Sequence, residues 1–473
     1  MRNKNIFILA FVALWLGSCQ DLLDVNDDPS RIGADEATLQ TLLPSAERFT
    51  ANTMYGAAQY GSQYPQYLSG QAISQYTPYG FDQLWQPFYA DALPTLQEII
   101  KRGEIASAFN YTGIAKTLLA LNLMTVADVF GHAPYSNANQ GTDNLYPCYD
   151  SQQELYETHI LDLLNGAIAD FDKPLPELAS LKTVQNDYIY AGNIEKWKKA
   201  AHAVLARYYL NLSNVDASAL AKAVSEAGLA IGLNADDLQL IYEDLVANPW
   251  YGFLGNATNK TMQPGGYLVD LMSGRGAFDA VVDPRLPRYF TKSGASPDFT
   301  GLKAGRLTGA DATVNTSVTA QNYLMNATAP IQFITYAEVQ FILAEGLFET
   351  NKEESYAAYL RGITASVDKA GVSVADRNAF LANPEIAMGQ DNLTLSDIML
   401  QKYIALYLQI ETWTDMRRYQ YDDTVYEGLV KPEVNQIPGE PWVQRSNLAD
   451  EEPGVNTCLP EVPNQGITLW LFE

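Results

Sequence analysis

The sequence predicts a mostly α-helical fold, an irregular array of tetratricopeptide-like helix pairs that scaffolds long loops and one loop-rich insert. Three observations carry this reading. Apolar residues recur at steps of three and four over stretches that arrive in adjacent pairs, the period vanishes between about 245 and 333, and it is absent again over 419–473. Short connections between neighbouring helices favour antiparallel hairpins, although no constant repeat of about 34 residues runs through the chain.

The chain opens with Arg2 and Lys4, followed by eleven apolar residues from Ile6 to Leu16. As a helix that run rises only about 16 Å, against a hydrocarbon core of about 30 Å. It therefore reads as a secretory signal over residues 1–18 rather than a membrane span. Leu16 and the small residues Gly17-Ser18 lead into Cys19, not into an Ala-x-Ala site, and this resembles the lipobox of bacterial lipoproteins. The resemblance implies that Cys19 begins the mature chain and carries acyl chains, two or more of which anchor a protein stably. Residues 19–34 follow as an acidic tether. Asp24, Asn26, Asp28 and Ser30 have the alternate spacing of a calcium loop, but Pro29 stands where that loop turns on Gly and Asp35 where it closes with Glu.

A first helix is expected over 35–54, with Leu39, Leu42, Leu43, Ala46 and Phe49 on one stripe. Tyr55 to Tyr79 is rich in Tyr, Gln, Gly and Ser; Tyr60, Tyr64 and Tyr67 suit a helix face, whereas Tyr76 and Tyr79 flank Pro78 and Gly80 in loop context. Helices follow at about 82–102 and 108–130, the second ending at Gly131 with Pro134 beyond it. Ser151 and Glu154 have the spacing of a capping box for a helix to about 171. Further helices are expected at about 193–212, 216–231, 335–350, 352–371 and 394–417.

The formal charge is -25, and loss of Arg2 and Lys4 with the signal makes the mature chain more acidic still. Such a polyanion is repelled by phosphate backbones, which argues against nucleic acid as a partner. Cys148 and Cys458 are the cysteines left beside Cys19, and their distance in sequence leaves pairing open. Neither Cys-x-x-Cys nor His-Glu-x-x-His spacing occurs with His132, His159 and His202, so no metal and no cofactor is expected. Nucleophile elbows and phosphate-binding Gly loops are missing too, so the chain is not read as an enzyme. A glycoside hydrolase would need two carboxylates about 5 Å or about 6.5 to 9.5 Å apart. Glu338 and Glu345, seven positions apart on one helix face, are read instead as polar flanks of that helix.

Asp128 to Ser136, Tyr149-Asp150-Ser151, Asp187-Tyr188-Ile189-Tyr190 with Gly192-Asn193, Lys196-Trp197 and Arg207, Asp283-Pro284-Arg285-Leu286, Ile334 to Glu345, and Gln401 to Leu406 with Trp413-Thr414-Asp415 and Arg417-Arg418 follow one another in a set order. Together they resemble the SusD/RagB family of outer-membrane nutrient-binding lipoproteins of Bacteroidetes-type bacteria. His132 stands where that family more often has an acidic or other polar residue. The resemblance covers nearly the whole mature chain and implies about four tetratricopeptide-like helix pairs in one domain over 35–473. It implies a lipid-anchored, cell-surface protein of the outer membrane that binds glycans, or peptides, and delivers them to a SusC-like TonB-dependent transporter. The motif residues themselves are read as scaffold.

Glycan recognition needs aromatic faces for the apolar faces of sugar rings, and amides or charges for the hydroxyls. Loop stretches that offer both are Gln75 to Tyr79, Asn248 to Phe253 with Asn256 and Asn259, and Pro441-Trp442 with Gln444 and Arg445. The candidate ligand residues are accordingly Tyr76, Tyr79, Trp250, Tyr251, Asn256 and Trp442. Against this stands the simpler role of Trp250 and Tyr251 as pins for a long loop. Trp85, Phe88, Tyr89, Trp197 and Trp413 fall at helical spacing and are expected in the core.

Overall fold

A computed structural model describes residues 37–70, 81–243, 245–256, 262–292, 298–305, 316–318, 320, 322–432, 435, 437–450 and 452–473. The signal, Cys19, the acidic tether, Tyr76, Tyr79 and Asn259 lie outside them.

The main helices are α1 (Leu39–Gly61), α2 (Leu93–Ile105), α3 (Phe109–Phe130), α4 (Leu161–Phe171), α5 (Ile194–Asn211), α6 (Ala219–Ala227), α7 (Gly266–Met272), α8 (Tyr336–Leu347), α9 (Lys352–Lys369), α10 (Val374–Leu381), α11 (Leu395–Ala405) and α12 (Glu411–Arg418). Consecutive members pack as the pairs α2/α3, α5/α6 and α8/α9, and α4 lies against both α3 and α5. Local chemistry sets several starts: the side chains of Ser151, Asn193, Thr335 and Asn351 each accept the amide of the residue three positions on. Thr394 and Asp397 make a reciprocal capping box for α11. The α3 helix is long and apolar enough to cross a membrane, yet 94% of its most apolar window is buried inside the protein. It is the central helix of the core. It stops at Gly131, whose φ of +79° a side chain rarely adopts, and a Cβ there would lie 2.5 Å from Leu469.

Among the described residues, three short antiparallel ladders stitch the helices together. In the first, β1 (Leu68–Gly70) pairs with β3 (Met262–Pro264), Gly70 opposite Met262. In the second, β2 (Leu238–Ile241) pairs with β6 (Pro330–Ile334), closing the two ends of the insert against each other. The third joins β4 (Thr291–Lys292) to β5 (Thr316–Ser317).

The aperiodic tail after α12 is tied back onto the helical body. Leu469, Leu471 and Phe472 belong to the buried core, and Cys148 and Cys458 are joined by a disulfide, Cα to Cα 5.0 Å. This resolves the pairing that the sequence left open.

Two expectations need correction. The stretch 394–417 is two helices, broken where Leu408 takes a φ of +64°. Glu338 and Glu345 are not polar flanks, because both are buried and ion-paired. Glu338 receives two bonds from Arg207, Nε to Oε1 at 2.6 Å and Nη2 to Oε2 at 2.7 Å. Glu345 accepts Arg418 at 2.5 Å and the Tyr419 hydroxyl at 2.7 Å, with Lys402 at 3.4 Å. Lys402 and Arg418 are in turn shared with Asp415, each at 2.8 Å.

Candidate functional site

The buried charges prepare one face of the molecule. Burial by itself raises the Glu345 carboxyl, but Arg418 and Lys402 override it and hold the group at about 2. The network fixes Arg418 and Tyr419 at the end of α12, and from there Gln420 and Tyr421 take consecutive left-handed conformations with φ of +50° and +56°. Non-glycine residues adopt such backbone only where the surroundings hold it, and such spots concentrate at ligand sites. The turn places the Tyr421 ring inward, its hydroxyl donating to the Val443 carbonyl at 2.7 Å and accepting Trp413 Nε1 at 2.8 Å. Trp442 then lies flat on Tyr421, ring centroids 4.4 Å apart and planes 5° from parallel.

Trp442 is half-buried and lines an open cleft of about 610 Å³ together with Arg418, Tyr419, Asp422, Asp423 and Lys431. An aromatic plate among carboxylates and cations has the composition of a sugar-binding surface. Asp422 is fully exposed, and hydrogen bonds from the Thr424 amide and hydroxyl hold its carboxyl low. It is therefore an ionised acceptor at neutral pH.

Lys431 also lines a second cavity of about 210 Å³, with Gln66, Tyr267, Asp270, Arg275, Lys303 and Glu427. The strap 427–431 forms the shared wall. Gln66 Nε2 donates to the Val430 carbonyl at 2.8 Å and the Tyr267 hydroxyl to that of Glu427 at 3.3 Å. The second cavity sits at the β1/β3 ladder, since Gly265 continues β3 by donating to the Tyr67 carbonyl at 2.9 Å. Gly70 and Met262, paired in that ladder, are where the described chain stops before Tyr76 and resumes after Asn256.

The other predicted residues are placed as follows. Trp250 is only 3% exposed, its ring meeting Tyr55 edge-on at 5.0 Å over a cavity of about 30 Å³. Asn248 holds the loop below it, donating to the Ala329 carbonyl at 2.9 Å and accepting the Trp250 amide at 2.7 Å. Trp250 is thus in position to pin the loop. Tyr251 is half-buried and Asn256 is exposed at the far end of a π-helical turn, Tyr251–Gly255. The cavity under Trp250 shares no lining residue with the Trp442 cleft. Arg445 turns inward to the Phe130 carbonyl, and burial lowers its guanidinium to about 10. Trp197 and Trp413 are fully buried as expected, whereas Trp85 and Tyr89 are half-buried in a cluster with Phe130 and Tyr149.

Sequence reasoning missed Tyr421, Tyr267 and Lys431. Tyr421 follows the last helix in a stretch with no period, and only its left-handed backbone sets it beneath Trp442.

A family model named SusD-like and described as starch-binding, associating with the outer membrane, matches residues 31–438. No curated protein matches the chain. Solved structures share the fold. A SusD/RagB family protein from Bacteroides thetaiotaomicron is 23% identical with a TM-score of 0.70, over 88% of this chain and 95% of that one. A chitin-binding SusD homolog from Flavobacterium johnsoniae is 19% identical with a TM-score of 0.75, over 92% and 98%. A SusD homolog from Bacteroides uniformis is 19% identical with a TM-score of 0.70, over 91% and 99%.

Proposed function

Because the chain belongs to the SusD-like family, described as starch-binding and associated with the outer membrane, we propose that it is a cell-surface lipoprotein that captures glycan. In this reading Cys19 carries the lipid, 19–34 is the tether, and 35–473 is one domain that hands its ligand to a SusC-like TonB-dependent transporter. The observation that carries the reading is the Trp442–Tyr421 stack, which offers a flat aromatic plate in an open cleft. Sugar rings would lie on Trp442, with hydroxyls taken by Asp422, Asp423 and Lys431. The cavity past Lys431 at Tyr267 would extend the binding surface, and Tyr76, Tyr79, Tyr251 and Asn256 are proposed as further ligand residues. That one of the fold relatives is a chitin-binding protein supports a polysaccharide ligand.

The protein acts by binding and not by catalysis. Glu338 and Glu345 are buried and committed to Arg207 and to Arg418 with Lys402, and neither lines the cavities described above.

The test is calorimetry of the lipid-free protein with starch- and chitin-derived oligosaccharides, and with basic peptides as the competing class. Saturable glycan binding that Trp442→Ala removes supports the proposal. Binding only of peptides would replace glycan with peptide as the ligand, and turnover of a polysaccharide would make the protein an enzyme.

A further inference from the structure

Away from the cleft, the segment that leads from α3 toward α4 gathers three unlike donors. Asp150, Glu154 and His159 each bring one ligand-type atom into a group whose members all lie within 4.8 Å of one another. Donors around one ion at roughly 2.0 to 2.6 Å fall within that spread. Two features separate this cluster from a chance meeting of charges.

The first is that Asp150 is fixed in place. Its Oδ2 accepts the amides of Tyr135 and Ser136 at 2.7 and 2.8 Å, and its Oδ1 accepts the Ser136 hydroxyl at 2.5 Å. Oδ1 keeps a lone pair beyond the one that Ser136 uses. This is the outer support that metal-binding carboxylates characteristically have.

The second is His159. It lies in the π-helical turn Leu155–Ile160, and the wider π turn brings a residue five positions after Glu154 back toward the same side, where an α-helix would carry it well round. The ring rests on Tyr135, centroids 4.9 Å apart, and Nε2 is buried with no hydrogen-bond partner among the described residues. A buried ring nitrogen left unmatched is costly and calls for an explanation. His202, by contrast, has Glu226 at 2.6 Å from its Nδ1.

We propose that Asp150, Glu154 and His159 bind one divalent transition-metal ion, with water completing its coordination. One imidazole nitrogen with two carboxylates suits zinc or manganese, whereas calcium and magnesium take oxygen donors. The ion would clamp the Tyr135–Ser136 turn to the start of the helix, close to where Cys148 ties in the tail. The expectation of no metal, drawn from motif spacing, misses such a site because its spacing depends on the π turn.

The experiment is calorimetric titration of chelator-stripped protein with zinc chloride, repeated with calcium chloride, and cobalt substitution read by visible absorption. One zinc ion per chain is expected, with a visible cobalt band. His159→Ala and Glu154→Gln should each weaken zinc by more than about tenfold, since losing even an outer support costs about that much. Glu154 is exposed, so its variant keeps the fold. His202→Ala should leave binding unchanged. Absence of stoichiometric zinc binding, equal affinity in His159→Ala, or a preference for calcium would each overturn the assignment.

Discussion

Arg207 on α5 and Glu338 on α8 stand 131 positions apart in sequence and meet in a two-pronged ion pair, with the second prong of Arg207 also reaching the Phe333 carbonyl at 2.6 Å. Both side chains are almost wholly buried, so each is compensated only by the other and its near neighbours. Removing one partner strands a buried charge. Arg207→Ala is therefore expected to destabilise the protein by about 3–5 kcal/mol, whereas a double apolar replacement costs much less. Chemical denaturation of the two variants checks this; equal losses would mean that packing, not charge, sets the effect.

Trp442 and Trp250 should respond in opposite ways. Trp442→Ala removes the half-exposed plate and should weaken glycan binding by about 1–2 kcal/mol, roughly tenfold, with little change in Tm. Trp250→Ala empties a packed site and should cost about 3–5 kcal/mol of stability. Binding and melting measured side by side on both variants separate the roles; a stable Trp250→Ala that loses glycan would place the ligand at Trp250 instead.

The Cys148–Cys458 bond closes a loop with a sequence separation of 310. Replacing both cysteines by serine should lower stability by about 2–5 kcal/mol, chiefly because the unfolded chain is then no longer cross-linked. Glycan affinity at the Trp442 cleft should persist, because Tyr421 is held by Val443 and Trp413 rather than by the disulfide. Melting with and without reductant reads the first effect, and calorimetry the second.

Glu411 and Glu345 give stability opposite pH dependences. Burial raises Glu411 to about 8, assisted by the carboxylates of Asp415, Glu338 and Asp128 and opposed by Arg207. A carboxyl whose folded pKa lies above its unfolded value favours the fold below the unfolded value of about 4.5 and withdraws that support as pH rises toward 8. Glu345, held at about 2, contributes above about 4.5 and loses its contribution as pH falls toward 2. Stability should thus fall off on both sides of about pH 5. Glu411→Gln, which cannot ionise, should remove most of the decline between pH 5 and 8, a gain on the order of 2 kcal/mol at pH 8. A variant whose denaturation midpoint falls with pH as steeply as the parent's would show that Glu411 is not the group responsible.

The helices were legible where a buried stripe and a cap coincide. Trp197, Ala201, Leu205 and Tyr208 after Asn193 give α5 almost to the residue. By contrast α10 buries only Phe380 and so shows no period, and β2 and β6 pair across a long insert with too few residues to alternate visibly. The break between α11 and α12 is invisible because Leu406, Tyr407 and Leu408 keep the chain apolar through it. In the candidate site, Trp442 could be picked out as a loop aromatic beside Pro441. Its partner Tyr421 could not, since two consecutive left-handed residues, held by packing and buried charges, set that ring's direction.

The disulfide described above also changes what a cut does to the chain. Cys148 lies between α3 and α4 and Cys458 in the tail after α12, so the bond closes most of the helical body into one covalent ring. A single proteolytic nick between the two cysteines therefore leaves both pieces in one molecule, and they part only when the bond is reduced.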